Sequence, residues 1–99
     1  MDAARRDETL TALLEDRRKA DRSAMGARMT EGEPRRTVRS AVVSARYEGL
    51  DVDAGHRFAT LLVVSAAGAW AFLVESRETD EDTFSRLEET VFDGVDVDQ

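Results

Sequence analysis

His56 is the chain's one histidine, and two aspartates that could act with it, Asp51 and Asp53, precede it closely. An imidazole beside a carboxylate can serve as a general base or hold a hard metal ion. A catalytic histidine also needs a nucleophile or an orienting carboxylate, and a metal site needs further ligands. Residues 48–56 contain two glycines and three acids, which predicts a solvated loop. An enzyme built on His56 and Asp53 is therefore the least favoured interpretation.

Other signatures of catalysis or cofactor binding are missing from the sequence. The chain has no cysteine, which excludes disulfide bonds, thiolate metal sites and a cysteine nucleophile. Its six glycines are too dispersed for a phosphate-binding loop or a dinucleotide fingerprint. The Asp51-Val52-Asp53 stretch lacks the later ligands of an EF-hand loop. We predict no catalytic residues, no cofactor and no metal, and hence a non-enzymatic protein.

Arginines near the N-terminus have a spacing that could contact phosphates. Arg17, Arg18 and Arg22 lie within one predicted helix. Acidic residues interrupt them, no aromatic residues lie between them, and the net charge of the chain is negative. A solvated, ion-paired helix is the favoured interpretation. A nucleic-acid-associated regulator that uses these three arginines is the alternative.

The net charge is the property of the composition that says most about the environment of the protein. The 99 residues include 21 Asp and Glu against 14 Lys and Arg, a formal net charge of −7. With a single lysine, Lys19, the composition resembles that of a salt-adapted cytoplasm, as in haloarchaea, where surface carboxylates keep proteins soluble. An acidic actinobacterial protein is the alternative. Residues 1–22 contain no apolar leader segment, so we predict a cytoplasmic protein.

The first third of the chain predicts a helix followed by a linker. Residues 3–24 are rich in Ala, Leu, Glu and Arg and contain no Gly or Pro. Their narrow apolar stripe centres on Leu10, Leu13 and Leu14. Residues 25–35 contain two glycines and the chain's proline, which predicts a connection without regular structure. The helix either packs on the rest of the chain through its stripe or is left free by a flexible linker.

The segment FATLLVVSAAGAWAFLV, residues 58–74, contains no ionisable residue. Its 17 residues are at the short limit for a helix that spans a bilayer. Ala66-Ala67-Gly68 divides it into two halves rich in β-branched and aromatic residues, which favours a buried β-hairpin over a membrane span. The alternation of large and small side chains groups Phe58 with Trp70 and Phe72 on one face of this hairpin.

The predicted fold class is α+β, with an N-terminal helix, a three-stranded antiparallel sheet and a C-terminal helix packed on the sheet. The strands are predicted at about residues 36–47, 57–65 and 69–76. Residues 80–92 predict the last helix, because apolar residues recur there at helical spacing behind an acidic N-cap. Residues 1–99 form a single small domain, with its α+β core over residues 36–94.

Both faces of the predicted hairpin are apolar, and the C-terminal helix can cover only one of them. An apolar face of this size usually meets a partner. We therefore predict a small, acidic, soluble protein-interaction module that forms a homodimer or binds another protein, away from membranes. A monomer in which the N-terminal helix covers the second face is one alternative, and a small-molecule or metal-binding domain is another. The residues expected at the interface are Leu61, Val63, Leu73, Val43, Leu10 and Leu14.

Residues 36–94 resemble the C-terminal half of the Mog1/PsbP-like and DcrB-like domains. The segments RTVRSAVVSARY, FATLLVV and AWAFLVESRETDEDTFSRLEETVF follow one another here as a strand, an apolar hairpin and an acid-capped helix do there. The resemblance implies an α+β architecture and no activity, since those domains share no catalytic residue to transfer. Their last helix leads into a closing strand, whereas here it leads into Asp93-Gly94-Val95.

Overall fold

The computed structural model describes residues 3–25, 29–51, 55–77 and 80–96. Over these ranges the chain forms two helices and one five-stranded antiparallel sheet. The α+β class with a helix at each end is confirmed, and the prediction of three strands is wrong. In chain order the elements are α1 (Ala3–Met25), β1 (Met29–Glu31), β2 (Arg35–Arg39), β3 (Val42–Asp51), β4 (His56–Ser65), β5 (Gly68–Arg77) and α2 (Glu81–Asp93).

The strand predicted over residues 36–47 is in fact two strands, β2 and β3, joined by a tight turn. Arg39 pairs with Val42, so the turn consists of Ser40 and Ala41. Ser40 has a φ of 55°, the left-handed conformation that lets an antiparallel pair reverse within two residues. Such turns usually carry Gly, Asn or Asp, and a serine does not mark one.

The sequence predicts a loop over residues 48–56, but β3 continues to Asp51 and β4 starts at His56. Gly49 is a strand residue that pairs with Phe58. A Cβ placed on Gly49 would lie 2.2 Å from Cζ of Phe58, so the glycine makes room for an aromatic ring rather than for a turn.

The predicted linker, residues 25–35, contains β1. Glu31 pairs with Gly49 near the far end of β3, and the Gly32 N–H donates to the carbonyl of Glu48 at 2.8 Å. β2 pairs with the other half of β3. One edge of β3 therefore carries β1 and β2, its other edge carries β4, and β5 lies beyond β4 as an outer strand.

β4 and β5 form the hairpin predicted for residues 58–74. The prediction of a hairpin in place of a membrane-spanning helix is therefore confirmed. Ser65 pairs with Gly68, so Ala66-Ala67 is the turn. No helix in the described ranges is long and apolar enough to cross a membrane.

The predicted grouping of aromatic residues across this hairpin is wrong. A two-residue turn pairs even-numbered residues of β4 with odd-numbered residues of β5, so Trp70 lies opposite Val63 and Phe72 opposite Leu61. Paired residues share a face of the sheet. Phe58 consequently lies on the face opposite to Trp70 and Phe72.

One helix packs on each face of the sheet. Leu10 and Leu14 of α1 pack on one face with Val43, Ala45, Tyr47, Phe58, Leu62 and Val64. Phe84 and Phe92 of α2 pack on the other face with Ala59, Leu61, Val63 and Val74. β4 is the central strand, and it is buried from Phe58 to Ser65 because both helices cover it.

α2 begins as its sequence predicts. The carboxylate of Asp80 caps it by accepting from the Thr83 N–H at 2.8 Å, and this bond holds the pKa of Asp80 below its usual value. Gly94 ends the helix with a φ of −83°, a conformation open to any residue.

Candidate functional site

A buried carboxylate lies between α2 and the sheet. The Glu88 side chain is 2% exposed, and its Oε2 lies 2.5 Å from Nε of Arg46 and 3.7 Å from Nη2 of Arg35. Arg35 also contacts Glu48, at 2.6 Å. Arg35 and Arg46 are directly paired across β2 and β3, where like charges repel. The two glutamates offset this repulsion, and we call Arg35, Arg46, Glu48 and Glu88 the charge cluster.

The surroundings of Glu88 raise its pKa to about 7. Burial is the largest cause, because it penalises the charged carboxylate. A hydrogen bond with Glu48 also favours the protonated form, whereas Arg46 favours the charged form. The cluster includes no nucleophile, so its arrangement suits the attachment of α2 to β2 and β3 better than catalysis.

A groove of about 590 Å³ opens beside the charge cluster, between the β2–β3 hairpin and the C-terminal end of α2. We call it the arginine groove. Its volume is within the range of small-molecule sites. Arg46 lines it and also stacks over Phe92, with the guanidinium carbon 5.3 Å from the ring centroid. The other lining residues are Arg35, Thr37, Arg39, Val42, Ser44, Leu61, Val63, Asp93, Val95 and Asp96.

The outer edge of β5 is a second candidate site. β5 is ten residues long and pairs with β4 along one side. No other described strand pairs with it. The Leu73 side chain next to this edge is 45% exposed.

One flank of α2 extends this edge with apolar surface. Glu88 and Phe92 contact Arg46 of β3, so that side of the helix faces β3. At 100° per residue, Leu87 lies on the opposite flank, toward β5. Leu87 and Val91 are each 41% exposed, although both are large apolar residues.

The three arginines proposed for nucleic-acid binding lie close to carboxylates. Nε of Arg18 is 2.8 Å from Glu31, Nε of Arg22 is 3.4 Å from the same carboxylate, and Nε of Arg17 is 3.9 Å from Asp21. Two of these contacts attach α1 to β1. Nucleic-acid binding stays a prediction, and these partners would compete with phosphates for the guanidinium groups.

A buried tyrosine makes further polar contacts with α1. The hydroxyl of Tyr47 donates to Asp21 at 2.5 Å. Burial raises the pKa of Tyr47, and the bond to Asp21 raises it further. Arg18 lies 5.9 Å from the centre of the ring. These contacts of Tyr47 with Asp21 and Arg18 attach α1 to the sheet.

The six residues predicted for an interface are divided between the two faces of the sheet. Leu10, Leu14 and Val43 are buried between α1 and the sheet, and Leu61 and Val63 are buried between α2 and the sheet. Leu73 is exposed beside the β5 edge.

His56 lies at the start of β4 rather than in a loop. Its Nε2 is 3.6 Å from the carboxylate of Glu75, and its partner across the sheet is the buried Asp51. Asp53 lies outside the described residues. In the described part of the chain, no three metal-binding side chains come together.

Sequence reasoning missed the charge cluster because its members interrupt apolar patterns. Glu88 lies four residues from both Phe84 and Phe92, so the three share the helix face that packs on the sheet. An acid at the centre of an apolar stripe was the available signal, since burial of a carboxylate requires a partner.

No protein-family model, curated protein or solved structure matches the chain.

Proposed function

We propose that the chain is a self-associating protein-interaction module in which two copies pair through the open edges of β5. The observation that carries the proposal is a ten-residue strand paired on one side, with no second partner among the described strands. α1 and α2 cover the sheet over β3 and β4, whereas Leu73 of β5 stays exposed, so the expected contact belongs at the β5 side of the sheet.

The backbone of β5 supports edge pairing. Ser65 and Gly68 close the turn, and residues that bond to β4 alternate with residues that point outward. By this alternation Ala69, Ala71, Leu73 and Glu75 direct their N–H and C=O groups away from β4. Such a row is a template for another strand. Proteins usually block it with proline, lysine or a bulge, and the stretch from Gly68 to Val74 has none of these.

The side chains of β5 suit a two-fold arrangement. Antiparallel pairing centred on Phe72 places Ala71 opposite Leu73 of the second copy, and Glu75 opposite Ala69. No like charges face one another. The same surface serves both copies, as a closed dimer requires.

The flank of α2 that faces β5 would meet its counterpart across the two-fold axis. Its residues are Thr83, Leu87, Thr90 and Gly94, none of which carries a charge. The acids Asp82, Glu89 and Asp93 lie on the outer side of the helix. An uncharged strip on a chain of net charge −7 is the composition expected at a contact surface.

Sedimentation equilibrium over a range of protein concentrations tests the proposal, starting from a monomer mass of 11.0 kDa. We expect the wild type to approach twice this mass. Ala71→Pro removes an outward N–H, which an edge strand tolerates, and should remain monomeric. Ala71→Thr keeps that N–H and is the matched control, which should still dimerise.

Leu87→Lys provides a second test that leaves the β5 backbone unchanged. It places a charge on the flank of α2 at an exposed position, so the fold should persist in circular dichroism while dimerisation weakens. A wild type that stays at 11.0 kDa at every concentration contradicts the proposal. So does a dimer that both folded variants leave intact.

A further inference from the structure

One wall of the arginine groove carries hydrogen-bond donors without partners. Arg39, Thr37 and Ser44 line it, and within the described chain their side chains form no hydrogen bond or ion pair. Thr37 and Ser44 are paired across β2 and β3, and Arg39 follows two residues later on the same face. A guanidinium and two hydroxyls therefore converge on one stretch of the groove.

The groove also has an apolar part, which five of its lining residues form. Val42, Leu61 and Val63 come from β3 and β4, and Phe92 and Val95 come from the end of α2 and the residues after it. A few convergent polar groups beside an apolar surface are the usual composition of a small-molecule site.

We propose that the arginine groove binds a small organic oxyanion, in which an apolar body carries a single carboxylate or phosphate group. Arg39 contacts the oxyanion, and the hydroxyls of Thr37 and Ser44 donate to it. The apolar body lies along Val42 and Val63. Arginine suits this role because its planar donors match the geometry of both oxyanions.

Nearby charges restrict the ligand to a single anionic group. Asp93 and Asp96 also line the groove, and Glu88 and Glu48 already contact the guanidinium groups of Arg46 and Arg35. These carboxylates repel every anionic group that enters the groove, so they disfavour a polyanion such as a nucleic acid strand more than a ligand with one oxyanion.

The inference goes beyond self-association, and the two are separable. The groove lies on the side of α2 that faces β2 and β3, and the proposed dimer contact lies on the side that faces β5. Ala71→Pro should therefore bind the same ligand as the wild type.

Three probes separate the contributions of charge and apolar surface. Octanoate has both features, octanol lacks the charge, and inorganic phosphate lacks the apolar body. Titration of each into ¹⁵N-labelled protein, followed by amide shifts, should show saturable binding of octanoate at residues of the groove. Octanol should bind at least about tenfold more weakly, since a hydrogen bond to a charged group contributes about that factor. Phosphate should also bind more weakly than octanoate, because it buries no apolar surface.

Arg39→Gln should weaken octanoate binding about tenfold without loss of the fold, because Arg39 is exposed. Arg86→Gln, which changes an exposed arginine of α2 outside the groove, is the matched control and should bind like the wild type. Val42→Thr keeps the shape of the groove, replaces a methyl group with a hydroxyl and should weaken octanoate more than phosphate. Absence of saturable octanoate shifts in the groove overturns the proposal. Equal affinity of the wild type and Arg39→Gln also overturns it.

Discussion

Glu88 is the residue at which burial and charge conflict most directly. Its carboxyl is almost inaccessible to water, yet an arginine contacts it on the sheet side and a second carboxylate lies within hydrogen-bond range. A carboxyl in such surroundings is stabilised in its protonated form at a pH where it would be charged in water. Its protonation state is therefore coupled to whether α2 is docked on the sheet.

We expect the free energy of unfolding to fall as pH rises from about 4.5 to about 7, on account of Glu88. In this window the folded protein retains a proton that the unfolded chain has released, so raising the pH favours unfolding. The contribution is on the order of 1–3 kcal/mol. Glu88→Gln keeps a neutral hydrogen-bonding group there and should remove this slope.

Urea unfolding of both proteins at several pH values measures the difference. The carboxylates that do not interact with Glu88 titrate alike in both proteins, so their contributions cancel in the comparison. An identical pH dependence in the wild type and Glu88→Gln would show that folding leaves the pKa of Glu88 unchanged.

At the scale of elements, the two hairpins reverse direction by different means. β4 and β5 turn at Ala66-Ala67, where small residues and an adjacent glycine are visible in the sequence. β2 and β3 turn at Ser40-Ala41, where a serine adopts a positive φ at some energetic cost. The second turn therefore stores strain that a different residue would relieve.

Ser40→Gly should stabilise the β2–β3 hairpin, because glycine adopts a φ of 55° without a steric penalty. We expect a gain of about 0.5–1 kcal/mol in the free energy of unfolding, net of the greater flexibility of glycine in the unfolded chain. Ala41→Gly is the matched control, since φ is not positive at this position, and it should lose a similar amount. A loss of stability in Ser40→Gly, measured by urea unfolding, would contradict the account of strain.

The same turn shows why part of the fold could be predicted and part could not. The helices follow from composition, caps and apolar spacing, which are local properties. A strand break at a serine, or a glycine selected by the ring of Phe58, depends on contacts between distant residues. Which residues of β4 and β5 share a face of the sheet likewise depends on whether the turn has two residues or three. A change of one residue moves every side chain of one strand to the other face.

The partners of Glu88 in the charge cluster lay beyond sequence reasoning for a related reason. Arg35, Arg46 and Glu88 come from three elements, and a lone charge in an amphipathic pattern does not reveal which opposite charge will meet it. The apolar surfaces were visible in the sequence. Their coverage by α1 and α2 could be seen only once the register was known.

At the scale of the whole molecule, self-association must act against net charge. Each copy carries a formal charge of −7, so two copies repel as they approach. The proposed contact surface is nearly free of charge, so the repulsion comes from the surrounding surface and acts over a distance that salt controls.

Dimerisation should therefore strengthen as sodium chloride is raised from about 0.1 M to about 1 M, because the screening length falls from about 10 Å to about 3 Å. We expect the dissociation constant from sedimentation equilibrium to fall severalfold. Ala71→Pro controls for non-specific salting-out, because it should stay monomeric throughout. A dimer that weakens with added salt would indicate an interface held by ion pairs, contrary to the β5 contact.

The uninterrupted burial of β4 has a consequence for the fate of the chain when it is damaged or newly made. Residues 58–74 contain no charge and no proline, the sequence signature of segments that assemble into amyloid. Arg57 and Glu75 are the gatekeepers at its two ends. In the folded protein α1 and α2 act as lids over this segment, so detachment of either helix would expose an aggregation-prone strand before the sheet itself unfolds.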